Sequence, residues 1–403
     1  MKSIYLDNDV TTKLDTRVLE EMMPYFTEEY GSTSSIYELG KKAKNAIEIA
    51  RTKISKAINC MPEEIYFTSG GVESNITAIR GIAYSYRRRG NHIITSRIEH
   101  PAVLETCIQL ESEGFEVTYV DVDENGIINL EKLEDAVTDK TILITIMYAN
   151  NEIGVIQPIK EIGEIARENG IFFHTNAVWA IGNTKIDVKK QKIDSLSLSA
   201  NKFYGPKGVG ALYIRKGIKF KRLFVGGNEE RNKRAGTENI PGIVGMGKAI
   251  ELAYNELDEH IDRIKELRNY CIKEIKEKIK DIKINGDIEQ RIPGNINISF
   301  NNIDAGELLE ELESKGICVS NGGIYTSGVL EPSHVLLAID LPYELAQGSL
   351  KISIGKYNTR EDIDYLLENL IKTVEKLRST PKGKKVTCKF SGKCGGNCSG
   401  CHN

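Results

Sequence analysis

Residues 195–215 read SLSLSANKFYGPKGVGALYIR, two β-rich runs that enclose one lysine, Lys202, and a glycine-rich turn from Gly205 to Gly210. A lysine at the end of an apolar strand, followed by such a turn, is the local setting of a Schiff-base lysine. Its amine attacks an aldehyde only as the neutral base, which requires that it be held rigid and partly desolvated. The same pattern also fits a solvated lysine before a Gly-Pro turn, and the stretch alone leaves both readings open.

Outward from this stretch, short β-rich runs alternate with helical segments between residues 64 and 215: IYFTSG, HIITSR, FEVTYVDV, TILITIMYAN, FFHTNAV, SLSLSA and GALYIR. Such alternation predicts an α/β protein with a mainly parallel sheet covered by helices. Ligands of these sheets bind beyond the carboxyl ends of the strands. The residues to read are therefore Gly70 to Asn75, Glu99 and His100, Asn150 to Glu152, Asn176 to Trp179, and Asn201 with Lys202. From Pro241 to Lys280 apolar residues recur at helical spacing, which predicts one long helix leaving the first domain. A smaller α+β region follows, with strands near INISF and KISIG and helices near Ala305 to Lys315, Pro332 to Ala338 and Glu361 to Arg378. The expected division is a large domain over 15–255, a small domain formed by 1–14 and 256–380, and a Cys-rich tail over 381–403.

A chain of 403 residues suits two domains. Its 54 Lys and Arg against 57 Asp and Glu give a net charge of -3, a balance that recruits neither nucleic acid nor an anionic membrane. No apolar stretch of about 18 residues occurs and the start lacks the apolar core of a signal peptide, so a soluble cytoplasmic protein is expected. Of the eight cysteines, Cys60, Cys107, Cys271 and Cys318 are scattered through apolar or helical sequence and are expected to pack as small hydrophobes. The other four, Cys388, Cys394, Cys398 and Cys401, have the spacing C-x5-C-x3-C-x2-C, with His402 adjacent. Thiolates this dense suit zinc or an iron–sulfur cluster. Sulfur-carrying thiols and a redox-sensitive tail are the competing readings.

The loop Thr68-Ser69-Gly70-Gly71-Val72-Glu73-Ser74-Asn75 joins a strand to a helix, where glycines and a helix N-terminus suit a phosphate, although an ordinary turn reads the same way. His100 suits stacking on a planar ring or a structural role. Asn150 and Asn151 offer amides to a ring oxygen, or simply shape a turn.

The order of these loops resembles the NifS/IscS-type cysteine desulfurases of the class V aminotransferase fold, from YLDNDVTT to about Leu377. The resemblance is carried by TSGGVESN, EHPAVL, ANNEIGVIQPI, HTNAVWAIG, SANKFYGPKGVGALY, RAGTENI, EPSHVLLA and GSLKISIGKYNT. It implies the aspartate-aminotransferase-like fold of pyridoxal-phosphate enzymes, with a seven-stranded sheet, and a homodimer acting on an amino acid such as cysteine. By the same resemblance Lys202 would carry pyridoxal phosphate through a Schiff base and His100 would stack on the ring. Asn151 would lie near the ring oxygen, and Ser199, the Gly71-Val72 turn and a partner subunit's Thr237 would hold the phosphate.

The departures cluster in the same loops. The family's sulfur-accepting cysteine corresponds to Tyr325, its aspartate at the pyridine nitrogen to Asn176, its glutamine at the ring oxygen to Trp179 and its histidine before the lysine to Asn201. The phosphate-binding threonine is Val72, leaving only a backbone N–H, and the arginine that grips the substrate carboxylate is Lys351, which lacks the two-pronged geometry. Two small residues near the start are Asp9 and Val10, and a histidine is Tyr37. Two functions are therefore expected as alternatives. One is a pyridoxal-phosphate enzyme of sulfur metabolism or iron–sulfur biogenesis with altered chemistry, in which Lys202, His100 and Tyr325 occupy the catalytic positions. The other is a non-catalytic dimer that binds a cluster or zinc through the tail. A tail of about twenty residues is long enough to bring a thiol back to the pocket.

Overall fold

The computed structural model describes residues 3–322, 324–326 and 329–379, and of 324–326 and 329–331 the backbone alone. The eight strands of the first half are β1 (Ile4–Tyr5), β2 (Ile65–Thr68), β3 (His92–Ser96), β4 (Glu116–Val120), β5 (Thr141–Thr145), β6 (Phe172–Asn176), β7 (Ser195–Ser199) and β8 (Gly210–Ile214). Seven form one sheet in the order β2-β8-β7-β6-β5-β3-β4. β8 runs antiparallel to both neighbours and the remaining pairs are parallel. All seven expected runs are thus strands, and the chain has the pyridoxal-phosphate-dependent class V aminotransferase fold. The alternation in SLSLS would suit a half-exposed strand, yet all five residues of β7 are buried. Helices cover both faces of a parallel sheet, and the small serines leave room for them. Ser197 also gives His174 a hydroxyl partner at 3.1 Å.

The second half contributes β9 (Ile282–Ile284), β10 (Asn295–Phe300), β11 (Ile317–Cys318), β12 (Ile324–Thr326), β13 (Val329–Glu331) and β14 (Ser349–Ser353). β14, β10 and β9 make an antiparallel sheet, β12 and β13 a hairpin, and β1 pairs in parallel with β11. A second apolar core forms here from Ile264, Cys271, Ile296, Phe300, Leu350 and Leu366, and it includes Ile4 and Leu6 from the chain's start. After Leu6 the chain crosses to the large sheet, where the Thr12 N–H donates to the Asn201 carbonyl at 3.0 Å. This crossing brings Asp9 and Val10 to Lys202.

The long helix expected over Pro241 to Lys280 is two helices, Ile240–Asn255 and Leu257–Lys278. Glu256 breaks them at φ -100 and ψ 7, and its carboxylate accepts from Arg17 at 2.8 Å and Lys356 at 2.7 Å. One non-helical residue leaves the apolar period on either side intact, so the spacing alone does not reveal it. The turn expected at Gly71-Val72 is the first turn of helix Gly71–Tyr86. Of the scattered cysteines, Cys107 and Cys271 are buried as expected; Cys60 and Cys318 are only half-buried, because they lie at the ends of elements rather than inside them.

One buried ion pair ties the helix Glu38–Ile58 to the segment after β8. The Arg51 guanidinium donates to both Glu230 carboxylate oxygens at 2.7 and 2.8 Å, and the Phe67 N–H donates to the same carboxylate at 2.8 Å. Glu230→Ala leaves the buried guanidinium with the exposed Glu48 carboxylate at 3.2 Å and removes the acceptor of the Phe67 N–H, so it should lower unfolding stability by about 3 kcal/mol in urea titrations. An effect under about 1 kcal/mol, the size typical of exposed pairs, would show that water reaches Arg51.

Candidate active site

Lys202 ends the single turn Ala200–Lys202 that follows β7, at the carboxyl end of the sheet. Its Nζ donates to the Asp9 and Val10 carbonyls, each at 2.6 Å, and lies 4.8 Å from the centre of the Trp179 ring. The Trp179 Nε1–H donates to the same Asp9 oxygen at 2.9 Å. A carbonyl oxygen has two lone pairs, and here each finds a donor. Burial lowers the Lys202 ammonium to about 8, with Lys351 adding to that fall and the Asp9 and Asp7 carboxylates opposing it.

His100 caps the helix Pro101–Ser112. Its Nδ1 accepts from the Ala102 N–H at 3.1 Å, so any ring proton sits on Nε2. Burial first, then the charges of Lys202 and His334, lower its pKa to about 4, which keeps the imidazole neutral. The ring tilts 40° against Trp179 with centroids 5.2 Å apart. Asn176 ends β6; its Oδ1 accepts from the Val178 N–H at 3.2 Å, and its buried Nδ2 has no partner. The backbone donor fixes which amide end is which. Gly71 opens its helix against Val178: a Cβ there would stand 2.5 Å from Val178 Cγ2 and 3.7 Å from Ser199 Cβ. Ser199 Oγ donates to Asn201 Oδ1 at 2.8 Å.

The structure thus gathers Lys202, His100 and Trp179, with Asn176, Ser199 and Gly71 at the neighbouring strand and helix ends. Other expected residues lie on further elements. Val72 is 54% exposed in the first turn of helix Gly71–Tyr86. Asn151 is half-buried in the turn beyond β5. Lys351 is buried on β14 opposite Asn297. Thr237 lines a cavity of about 110 Å³ with Thr68, Ser69, Gly208 and Arg234. Tyr325 lies in β12, its side chain outside the described residues, as are Cys388, Cys394, Cys398 and Cys401. Among the described residues no cluster of three His, Cys, Asp or Glu side chains could hold a metal ion, and no helix is long and apolar enough to cross a membrane.

Asp9 was legible only as a departure, and the structure places it inside the site. Its Oδ2 accepts from Asn295 Nδ2 at 2.8 Å, and its N–H donates to Ser353 Oγ at 2.9 Å. Burial raises its carboxyl above the usual range, against the pull of Lys351, the Asn295 amide and Lys202. Glu152, beside Asn151, is also buried and raised by burial, and its backbone oxygen accepts from Asn295 and Asn297 at 3.0 and 3.2 Å. The available signal for Asp9 was its departure from the small residue that the resemblance expects there; nothing in the sequence pointed to Asn295.

These residues fit pyridoxal phosphate. Lys202 offers an amine close to neutrality, the uncapped N-terminus of helix Gly71–Tyr86 suits a phosphate, and the unpartnered Asn176 amide offers a donor to a ring nitrogen. Sheet order and the place of the buried lysine are those of the pyridoxal-phosphate-dependent fold of aspartate aminotransferase type. The chain belongs to the aminotransferase class-V family, whose model matches residues 4–366. It is 52% identical over 379 residues to cysteine desulfurase IscS of Clostridium botulinum strain Hall, spanning 94% of this chain and 96% of that protein. To cysteine desulfurase IscS of Methanosarcina thermophila it is 54% identical over 385 residues, 94% of this chain and 95% of that one. Among solved structures a NifS-like protein superposes with a TM-score of 0.88 at 39% identity, over 93% of this chain and all of that one. SspA, solved in complex with cysteine, superposes with a TM-score of 0.77 at 36% identity, over 88% of this chain and 99% of that one.

A lysine titrating at about 8 is neutral above that pH and protonated below it. In protein first stripped of any bound carbonyl compound, reductive alkylation of Lys202 by a small aldehyde, followed by peptide mass spectrometry, should slow about tenfold per pH unit below 8 and level off above it. Solvated lysines should keep accelerating to about pH 10.4. A Lys202 profile matching theirs would contradict the desolvated amine.

Proposed function

We propose that the chain is a dimeric, pyridoxal-phosphate-dependent protein of the cysteine desulfurase line that takes a primary amine at Lys202 and does not complete sulfur abstraction on its own loop. What supports this is the buried Lys202 amine at the carboxyl end of β7, in a chain half identical to cysteine desulfurases. The cofactor, when bound, supplies the electron sink for chemistry at the amine carbon. Lys202 would hold it, neutral His100 would stack on it, and Ser199, the first turn at Gly71 and a partner's Thr237 would anchor the phosphate. The Asn176 amide can donate to a ring nitrogen but carries no charge to keep that nitrogen protonated, so the sink is weaker than with a carboxylate there. By the resemblance Lys351 would receive an incoming carboxylate. Tyr325 stands where the relatives' thiol receives sulfur, and a phenol with a pKa of about 10 is a poor nucleophile at neutral pH and holds no persulfide.

The purified protein should show an absorbance band near ~400 nm that borohydride shifts and Lys202→Ala abolishes. A colourless protein that also fails to take up added pyridoxal phosphate would sink the cofactor reading. With residues 381–403 removed, cysteine should yield sulfide no faster than the Lys202→Ala control; turnover well above that control would show that Tyr325 does not block the reaction.

The tail's four cysteines within its last sixteen residues favour a second role, in which they hold zinc or an iron–sulfur cluster and serve sulfur trafficking or cluster assembly. Bound metal, measured by elemental analysis of the anaerobically purified chain, should fall when Cys394 and Cys398 are changed to Ser. Unchanged or absent metal would exclude that role.

A further inference from the structure

We infer that Asp9 determines substrate specificity: its carboxyl group fills the place beside Lys351 that an amino acid's carboxylate would take, so the pocket selects primary amines without an α-carboxylate. This rests on the reading of Lys202 and Lys351 given above and narrows it.

The placement follows from register. On β10 and β14 Asn295 pairs with Ser353 and Asn297 with Lys351. Residues two apart on a strand share a face, so all four point to one side of this sheet. Asp9 sits over that side, its N–H on Ser353 and its carboxylate on Asn295. From the opposite direction Lys202 and Trp179 hold its carbonyl oxygen. Four hydrogen bonds therefore fix the residue between the amine that would hold the cofactor and the side chain that would receive a substrate carboxylate. If the side chain swung aside, one of the two buried Asn295 amide N–H groups would lose its acceptor, the other staying on the Glu152 carbonyl.

Charge leads to the same conclusion. Lys351 acts on both the Asp9 and Glu152 carboxylates, and Lys202 acts on Asp9. One lysine is thus already shared by two internal acids. A third carboxyl group arriving with a substrate would meet an occupied site, whereas an amine lacking one would leave the Asp9 contacts undisturbed. Small residues at position 9, as in the resemblance, would leave that place open.

L-alanine and ethylamine differ only in the carboxylate and serve as probes. Calorimetric titration of the full-length protein should show ethylamine binding at least as tightly as L-alanine. Asp9→Asn keeps an acceptor for Asn295 while removing the charge, and should shift the ratio of affinities toward L-alanine by about tenfold, the size of one pK unit of like-charge interaction. Asp9→Ala should shift it further. A wild type that prefers L-alanine, a ratio unmoved in both variants, or no binding of either probe in any of the three proteins would overturn the inference. The absorbance of the same samples reports the cofactor separately. A band without a change in preference refutes the role of Asp9 alone, and a missing band refutes the cofactor reading.

Discussion

An amine withdrawn from water needs acceptors that are themselves immobile, and at Lys202 these are two backbone carbonyls, those of Asp9 and Val10. They are immobile because Ile4 and Leu6 are packed in the second core and Thr12 is tied to Asn201. The environment of a side chain at the end of β7 is therefore set by packing among β10, β14 and the helices beneath them. Neither core alone would produce it. Trp179 joins the same carbonyl oxygen, so the indole that rests against His100 is positioned by the N-terminal segment as well.

Burial without full pairing drives several groups of the site toward neutrality. His100 falls to about 4, Lys202 to about 8, and Glu99 rises to about 8 in a pocket where Ser96 and the Met147 N–H satisfy one of its oxygens. Each shift has desolvation as its largest cause. A region of this kind interacts weakly with bulk salt and strongly with any charge brought into it. That sensitivity gives the buried Asp9 carboxyl and Lys351 more influence over what can enter than exposed residues would have.

The large sheet was legible because its central strands, buried on both faces, read as near-continuous apolar or small-residue runs between turn residues. Lys202, His100 and Asn176 followed, since each stands just past such a run. The break at Glu256 was not legible, because a single residue leaves the helical period unchanged. The two-residue strands β1 and β11 carry too little pattern to be seen. Asp9 stood out as a charge in the wrong company, but its partners Asn295 and Ser353 are more than 280 residues away. No local pattern encodes such a pairing. The resemblance to cysteine desulfurases implies which residues line the site; the contacts among them depend on the packing of distant segments in the folded chain.

Asn176 keeps one buried amide donor without a partner. A buried donor in that state costs the folded chain about 1–3 kcal/mol, and any occupant presenting an acceptor there would return it. Occupancy of this pocket and the melting of the whole chain are consequently linked equilibria. A molecule that fits the amide should raise the unfolding temperature whether or not any bond in it is ever broken, because ligand binding to the folded state alone shifts that balance by mass action.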